Sequence, residues 1–397
     1  MYLTKDEEKI LDGEEGWGKK KAMEILVAIG DIYKADKLIK IENAHVSGAS
    51  YKNLGDAGLE FLKDLSTDVK VAVNTTLNPI GLDRVRWRSM NIDPIFAERQ
   101  MEILSIYKKM GVSDVCTCTP YYLRYIKPGE NLSWAESSAI VYANSVLKAK
   151  TNRESGISAL ASAIIGKTPN YGYFLEENRL PNISITVKEK IQDSDYGILG
   201  FLVGSLVKDK IPYFYLPSDP LDDELKQLGA GLASSGSVVL FYYGKHNKKN
   251  ILNNIRKSSN AGHVNEEIEI TKKEIDEVYT KKTKKKDADL IVIGCPHCSV
   301  SELKRINSLL KNKRKKIKKD LMICTSRCIK DNYKELTDEI ESSGARVICD
   351  TCPVVSPLEG YSCAMVNSGK AYNYMPTMNK ISTKIGTTEE CINESLL

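Results

Sequence analysis

Ten cysteines stand in this 397-residue chain, and six of them fall in three short motifs near the C-terminus. The motifs are Cys295-Pro296-His297-Cys298, Cys324-Thr325-Ser326-Arg327-Cys328 and Cys349-Asp350-Thr351-Cys352, and a seventh and eighth cysteine form Cys116-Thr117-Cys118 upstream. Two Cys-x-x-Cys pairs look like half-sites of a zinc centre with four thiolates. A second chemistry fits the same residue types. Three cysteines can hold three irons of a [4Fe–4S] cube and leave the fourth open as a Lewis acid, whereas an electron-transfer cluster normally takes four.

The surrounding sequence decides how these cysteines can be presented. Leu290 to Ile293, Leu321 to Ile323 and Arg346 to Ile348 read as short buried strands, each ending in one cysteine motif and each neighboured by a polar, Lys- and Glu-rich helix. That is the signature of a parallel sheet built from βαβ units. Ligands of open α/β sheets bind outside the carboxyl ends of the strands. Cys349 sits at a strand end and Cys298 reads as already entering the next element, so each pair can contribute one ligand rather than two. Cys116 lies two residues before Cys118 on the same expected strand, faces the same side and is its rival.

Other elements follow the same pattern. Thr4-Lys5-Asp6-Glu7 reads as a capping box, and Trp17 to Tyr33 as a helix with apolar Ala22, Ile25, Leu26 and Ile29 on one face. Strands are expected at Lys37–Ile41, leading to His45-Val46-Ser47-Gly48-Ala49-Ser50, at Val69–Val73, leading to Asn74 and Pro79, and at Asp114–Thr117, leading to Cys118. Asp195 to Val207 alternates glycine with apolar residues and suits tight helix packing; strands follow near Pro212–Leu216 and Val238–Tyr243. The expected fold is α/β, with several parallel or mixed sheets flanked by helices, divided into lobes over 1–150, 151–280 and 281–397.

Composition excludes several classes. Hydrophobic residues are 42% and charged residues 27% of the chain, and the formal net charge is +5, so a globular core is affordable and a nucleic-acid partner is not indicated. The lysine runs Lys281 to Lys286 and Lys311 to Lys319 lack interleaved aromatic residues for base stacking and read as solvated helix faces or loops. No apolar run reaches the ~20 residues of a membrane span, and no charged segment leads into an apolar one at the N-terminus. A cytoplasmic protein with no membrane and no nucleic-acid partner is expected, and cysteines there serve metals or catalysis more than disulfides.

The segments Asn74-Thr75-Thr76-Leu77-Asn78-Pro79-Ile80-Gly81-Leu82-Asp83, Cys116-Thr117-Cys118-Thr119-Pro120-Tyr121, Gly129-Glu130 with Trp134-Ala135-Glu136-Ser137-Ser138, Tyr142-Ala143-Asn144-Ser145, Thr151-Asn152-Arg153-Glu154, Gly294-Cys295-Pro296-His297 and Asp350-Thr351-Cys352-Pro353-Val354 together resemble the aconitase X family, in the family's order and over nearly the whole chain. The resemblance implies an aconitase-like hydro-lyase with a [4Fe–4S] cluster on Cys118, Cys295 and Cys352. Cys298, Cys324, Cys328 and Cys349 would then surround or pack beside it. The implied reaction is dehydration of (R)-5-phosphomevalonate to trans-anhydromevalonate 5-phosphate in the archaeal mevalonate route to isoprenoids. A separate small subunit carrying the swivelling domain is implied as well, giving a heterodimer.

That substrate carries a carboxylate, a tertiary hydroxyl and a phosphate. The Gly48-Ala49-Ser50 turn offers N–H groups and a hydroxyl to an anion. Asn74 and Pro79 would form one wall, Ser368-Gly369-Lys370 a second anion site, and Arg153 a bidentate grip on a carboxylate. The proton acceptor is left open among His45, Asp83, Glu136, His297 and a serine of the small subunit, which the wider aconitase group suggests. Two other readings stand beside this one. The first is a cis-3-hydroxyproline dehydratase or aconitase-like isomerase of the same family; the second is a zinc-stabilised RNA-binding protein.

Overall fold

The computed structural model describes residues 1–245, 266–281, 287–313 and 316–397. The chain starts as its capping chemistry dictates: Thr4 Oγ1 accepts from Glu7 N, and the Glu7 carboxylate accepts from Thr4 N at 2.8 Å. This fixes α1 (Lys5–Asp12), and α2 (Trp17–Ile32) follows. Next come β1 (Leu38–Lys40), β2 (Asn43–Val46), α3 (Tyr51–Leu65, kinked at Gly55), β3 (Asn74–Leu77), α4 (Pro94–Lys109), β4 (Leu132–Trp134), α5 (Ser137–Ser145), α6 (Gly156–Ile165) and β5 (Lys167–Pro169). β3, β2 and β4 form a parallel three-stranded sheet, while β1 and β5 pair antiparallel apart from it.

A second parallel sheet, in the order β8-β7-β6-β9, is built from β6 (Ile183–Val187), β7 (Pro212–Leu216), β8 (Tyr242–Lys245) and β9 (Glu267–Ile270), with α7 (Asp195–Val207), α8 (Asp222–Ser235) and α9 (Lys272–Lys281) around it. The glycines of α7 do bring helices together: a Cβ on Gly200 would lie 2.2 Å from Leu228 O of α8.

The third lobe is a five-stranded parallel sheet, β12-β11-β10-β13-β14. Its strands are β10 (Leu290–Cys298), β11 (Asp320–Thr325), β12 (Arg346–Ile348), β13 (Cys363–Val366) and β14 (Ser382–Ile385). Helices α10 (Val300–Lys313), α11 (Arg327–Asn332), α12 (Lys334–Ser342), α13 (Gly369–Met378) and α14 (Thr388–Ser395) connect and flank them. The expected mixed α/β class with parallel sheets is what the chain adopts. One hydrophobic cluster runs through the second and third lobes and takes in Cys295, Cys324 and Cys352. No helix among the described residues is long and apolar enough to cross a membrane.

Three expected strands differ because backbone groups found other partners, and a fourth, at 37–41, forms as β1 without leading directly to His45. Residues 69–73 are not a strand: Val71 N donates to Met110 O and Ala72 N to Ala163 O, so pairing starts only at Asn74. The strand delivering His45 is β2, not the segment 37–41. Residues 114–117 make a single bridge, Cys116 to Leu77. Before Tyr242, Val239 O accepts from Asn144 Nδ2 and Phe241 N donates to Ser145 Oγ, so β8 starts late. Of the lysine runs, 282–286 and 314–315 lie outside the described residues; Lys311, Lys313 and Lys319 pair with Glu339, Glu389 and Glu394.

Candidate functional site

One strand and two loops from two lobes deliver Cys295, Cys118 and Cys352 to one buried region. Cys295 lies within β10 just past Gly294, where the pairing with β11 changes register. Its carbonyl accepts from Ser368 Oγ at the start of α13. Cys118 follows the short bridge of 116, and its Sγ accepts from His297 N at 3.2 Å, which stitches the first lobe's loop to β10. Cys352 follows Asp350, whose φ of 63° turns the chain out of β12, and its sulfur receives the N–H groups of Val354 and Val355. The three thiols are free, buried and electrostatically coupled: Cys295 to both others, Cys118 to Cys352. Burial pushes the Cys118 thiol up to about 12 and Cys295 well above the usual range, with Lys370 opposing both shifts. Left alone, such groups stay protonated; a metal would displace the protons.

Among the described residues no three His, Cys, Asp or Glu side chains converge closely enough for one metal ion. A cluster does not require that convergence, because each thiolate binds its own iron. Two buried hydroxyls at the site, Tyr121 OH and Thr351 Oγ1, have no hydrogen-bond partner among the described residues, and Tyr121 is coupled to Cys118. The donor set therefore fits a polynuclear group better than a single ion.

The other cysteines are separated from this trio in different ways. Cys116 does not share the face of Cys118. No continuous ladder imposes strand alternation there, and its thiol lies in the first lobe's core beside Asp350, Arg84 and Asp114. Cys298 is still on β10, paired with Thr325, and its thiol faces Glu302, Lys226 and Asp223. Cys349 faces Asp83 and Arg327. The four sulfurs of a Cys295–Cys298–Cys349–Cys352 zinc site thus point to different surroundings. Cys324 is buried beside the trio, whereas Cys328 is exposed and its sulfur accepts from Asn332.

Next to the trio lies a chain of polar side chains. The Lys370 ammonium is ion-paired to Glu136 and donates to Ser138 Oγ at 3.2 Å. Asn78 Nδ2 donates to the other Glu136 oxygen at 2.7 Å, and Asn78 Oδ1 lies 3.5 Å from His45 Nε2. Burial alone would raise Glu136, but Lys370 and hydrogen bonds from Ser138 and Asn78 win and hold it down at about 2. Burial lowers His45 to about 4, so the imidazole is neutral.

Glu136 also lines a cleft of about 790 Å³ together with Gly48, Ser50, Pro79, Arg153 and Val354. The expected anion turn is thus beside the trio's loop: Ser50 Oγ donates to Val355 O at 3.2 Å. Gly48 has φ 73° and no atom within 4 Å of where a Cβ would be, leaving its backbone accessible. Arg153 is exposed at this cleft, and its guanidinium donates to Ala233 O at 3.4 Å.

Three expected residues have other surroundings. Asn74 begins β3 instead of following a strand, so it lies at the opposite end from the cleft, held by Asn43; Asn78 takes the cleft position. Gly369 serves packing, since a Cβ there would fall 2.2 Å from Gly197 O of α7. Ser368 caps α13 and binds Cys295 O, so it supports the cysteine loop. Lys370 reaches the site, but as a partner of Glu136.

The proton-acceptor candidates also separate. His297 Nε2 donates to Thr351 O at 2.9 Å, and Nδ1 accepts from Thr117 Oγ1 at 3.0 Å, which commits both nitrogens. Asp83 accepts from Val85 N, Cys349 N and Arg327. Sequence reading missed Asn78, Ser138 and Lys52. Lys52 is exposed, lies near enough to Cys352 to feel its charge, and has Ser356 O at 3.5 Å. Asn78 and Ser138 lie in the segments that resemble the aconitase X family, and Lys52 adjoins the Gly48-Ala49-Ser50 turn; those were the signals in the sequence.

Nearly the whole chain is matched by models of one family: the aconitase X first domain over residues 1–177, the second over 181–280 and the third over 288–396. The phosphomevalonate dehydratase large subunit of Methanosarcina mazei is 48% identical, covering 100% of this chain and 97% of that one. That of Methanocaldococcus jannaschii is 49% identical, covering 99% of each. A crystal structure of Thermococcus kodakaraensis aconitase X, described as a holo form, superposes with a TM-score of 0.90 at 42% identity and covers 100% of both chains. Sequence, domain order and fold agree, and the chain belongs to the aconitase X family.

Proposed function

We propose that this chain is the large subunit of a hydro-lyase that dehydrates (R)-5-phosphomevalonate to trans-anhydromevalonate 5-phosphate. The observation that carries the reading is the meeting of three free, buried thiols with an anion-ready cleft, on a chain nearly half identical to relatives of that name. Cys118, Cys295 and Cys352 would hold a [4Fe–4S] cluster. When bound, it supplies Lewis acidity toward the departing hydroxyl.

The chain's own residues bind and orient. The Gly48-Ala49-Ser50 turn presents backbone N–H groups to one anionic end of the substrate. Arg153 and Lys52 supply cations for the carboxylate and phosphate. Pro79 and Val354 give the cleft its apolar wall and exclude water. Lys370 places positive charge beside the three sulfurs and offsets their accumulated negative charge.

Glu136 is the one ionised carboxylate among the four candidate bases that lines the cleft. A carboxyl held near 2 is a weak acceptor, since an efficient general base has a pKa near the working pH. Glu136 therefore orients Lys370 and Asn78, and the resemblance to the wider aconitase group implies that a serine of a small subunit bearing the swivelling domain takes the proton.

The test is anaerobic co-expression with the small subunit, followed by product analysis on 5-phosphomevalonate, cis-3-hydroxyproline and citrate. Water loss from 5-phosphomevalonate alone is expected. Turnover of hydroxyproline or citrate without turnover of 5-phosphomevalonate overturns the proposal.

A further inference from the structure

A second cavity of about 670 Å³ lies between α7, α8, α10 and the segments that follow β13 and β14, and shares no lining residue with the cleft. Two of its lining residues are conspicuous. Gln227 on α8 and Asn367 just after β13 are 6% and 7% exposed, and the side-chain carbonyl oxygen of each has no hydrogen-bond partner among the described residues. A buried acceptor without a donor costs about 1–3 kcal/mol, so two at one cavity ask for a ligand.

The lining charge says which kind. Asp193, Asp223, Glu224 and Glu302 face Arg305, with Lys226 bound directly to Asp223 and Glu302, an excess of two negative charges. Each carboxylate already has a partner. Glu302 has Lys226, Asp193 has Arg305 at 2.9 Å, Glu224 has the N–H groups of Leu221 and Asp193, and Asp223 has Ser299 Oγ at 2.8 Å. Calcium or magnesium would need those carboxylates as ligands. Neutral carbonyl oxygens in a net negative, partly open space suit a weakly hydrated monovalent ion.

We propose that this cavity binds a compact monovalent cation, potassium or ammonium, on the side-chain carbonyls of Gln227 and Asn367. The hydroxyls of Ser194 and Ser301 line the same space and can complete its coordination. The site borders the elements that hold Cys295: Asn367 precedes Ser368, which binds Cys295 O, and Lys226 donates to His297 O at 3.4 Å. Cation binding therefore stiffens that loop, whatever reaction the cleft performs.

The test uses the full chain in choline chloride, with KCl, NH4Cl or NaCl substituted at constant ionic strength while thermal unfolding is followed. Potassium or ammonium should raise the midpoint by about 2 °C or more, saturably, with sodium weaker. Gln227→Leu/Asn367→Leu should abolish the difference between salts. Elemental analysis of wild-type chain dialysed to equilibrium against KCl in choline buffer, with the potassium of the dialysate subtracted, gives a second readout independent of variant folding. It should find close to one potassium per chain at concentrations that saturate the thermal shift. Equal midpoints in all salts, a potassium effect that survives in the double variant, or no bound potassium overturns the proposal.

Discussion

Lys370 and Glu136 stand 234 residues apart and form an ion pair in which each side chain is 8% exposed, between the three thiols and the cleft. It joins α13 of the third lobe to the cap of α5 in the first. Such a pair needs both members: taking ions from water is costly, and a lone survivor retains that cost without the compensating attraction.

Lys370→Met is therefore expected to destabilise the chain by about 3–5 kcal/mol, because Glu136 keeps its charge in a buried place. Lys370→Met/Glu136→Leu should recover much of the loss. Urea unfolding midpoints of the two variants check this; equal losses would mean that Glu136 is not left unpaired.

Asp350 joins lobes in the same way. It accepts from Arg84 Nε at 3.0 Å and from Arg327 Nε at 2.9 Å while turning the chain toward Cys352. Asn tolerates the positive φ, so Asp350→Asn removes the charge and spares the turn. The arginines are partly exposed, which reduces the cost to about 2–3 kcal/mol. Urea unfolding measures it, and metal content should fall with it.

How much was legible follows from which partners were local in sequence. The capping box at Thr4, the helix from Asp195 and the parallel strands ending in cysteines could be read, because periodicity and turn chemistry are local. Asn74 was misplaced because Val69, Val71 and Val73 alternate like a strand, yet Val71 N and Ala72 N donate to Met110 O and Ala163 O near helix ends. Lys370 was legible as a cation but not as the partner of Glu136, since nothing local encodes a contact over that separation. Gly369 read as a ligand-facing turn because a glycine against a helix looks the same in sequence.

The two kinds of glycine can be told apart by substitution. Gly369→Ala drives a Cβ into Gly197 O and should cost about 1–3 kcal/mol or more in urea unfolding. Gly48→Ala meets no neighbour and pays only for its φ of 73°, about 1–2 kcal/mol. Its larger effect should be a raised KM.

Acid should unfold the protein through its buried histidines. His45 and His297 are each lowered by burial to about 4, from 6.5. The unfolded state thus binds more protons between these values. The stability each contributes is complete above pH 6.5 and lost as pH falls toward 4, up to about 3 kcal/mol per histidine. Glu136, lowered to about 2, adds a further loss below 4.5. Unfolding midpoints between pH 7.5 and 4 check this; a flat profile contradicts it.

The central claim is that Cys118, Cys295 and Cys352, and not their sequence neighbours, hold the cluster. Iron and acid-labile sulfide should be counted in anaerobically purified wild type and single Cys→Ser variants. Wild type is expected to hold about four irons per chain. The serine variants at 118, 295 and 352 should each lose most of the iron, while Cys116→Ser and Cys298→Ser keep it. Iron retained in Cys295→Ser and lost in Cys298→Ser, or a zinc-filled wild type free of iron, would contradict the account.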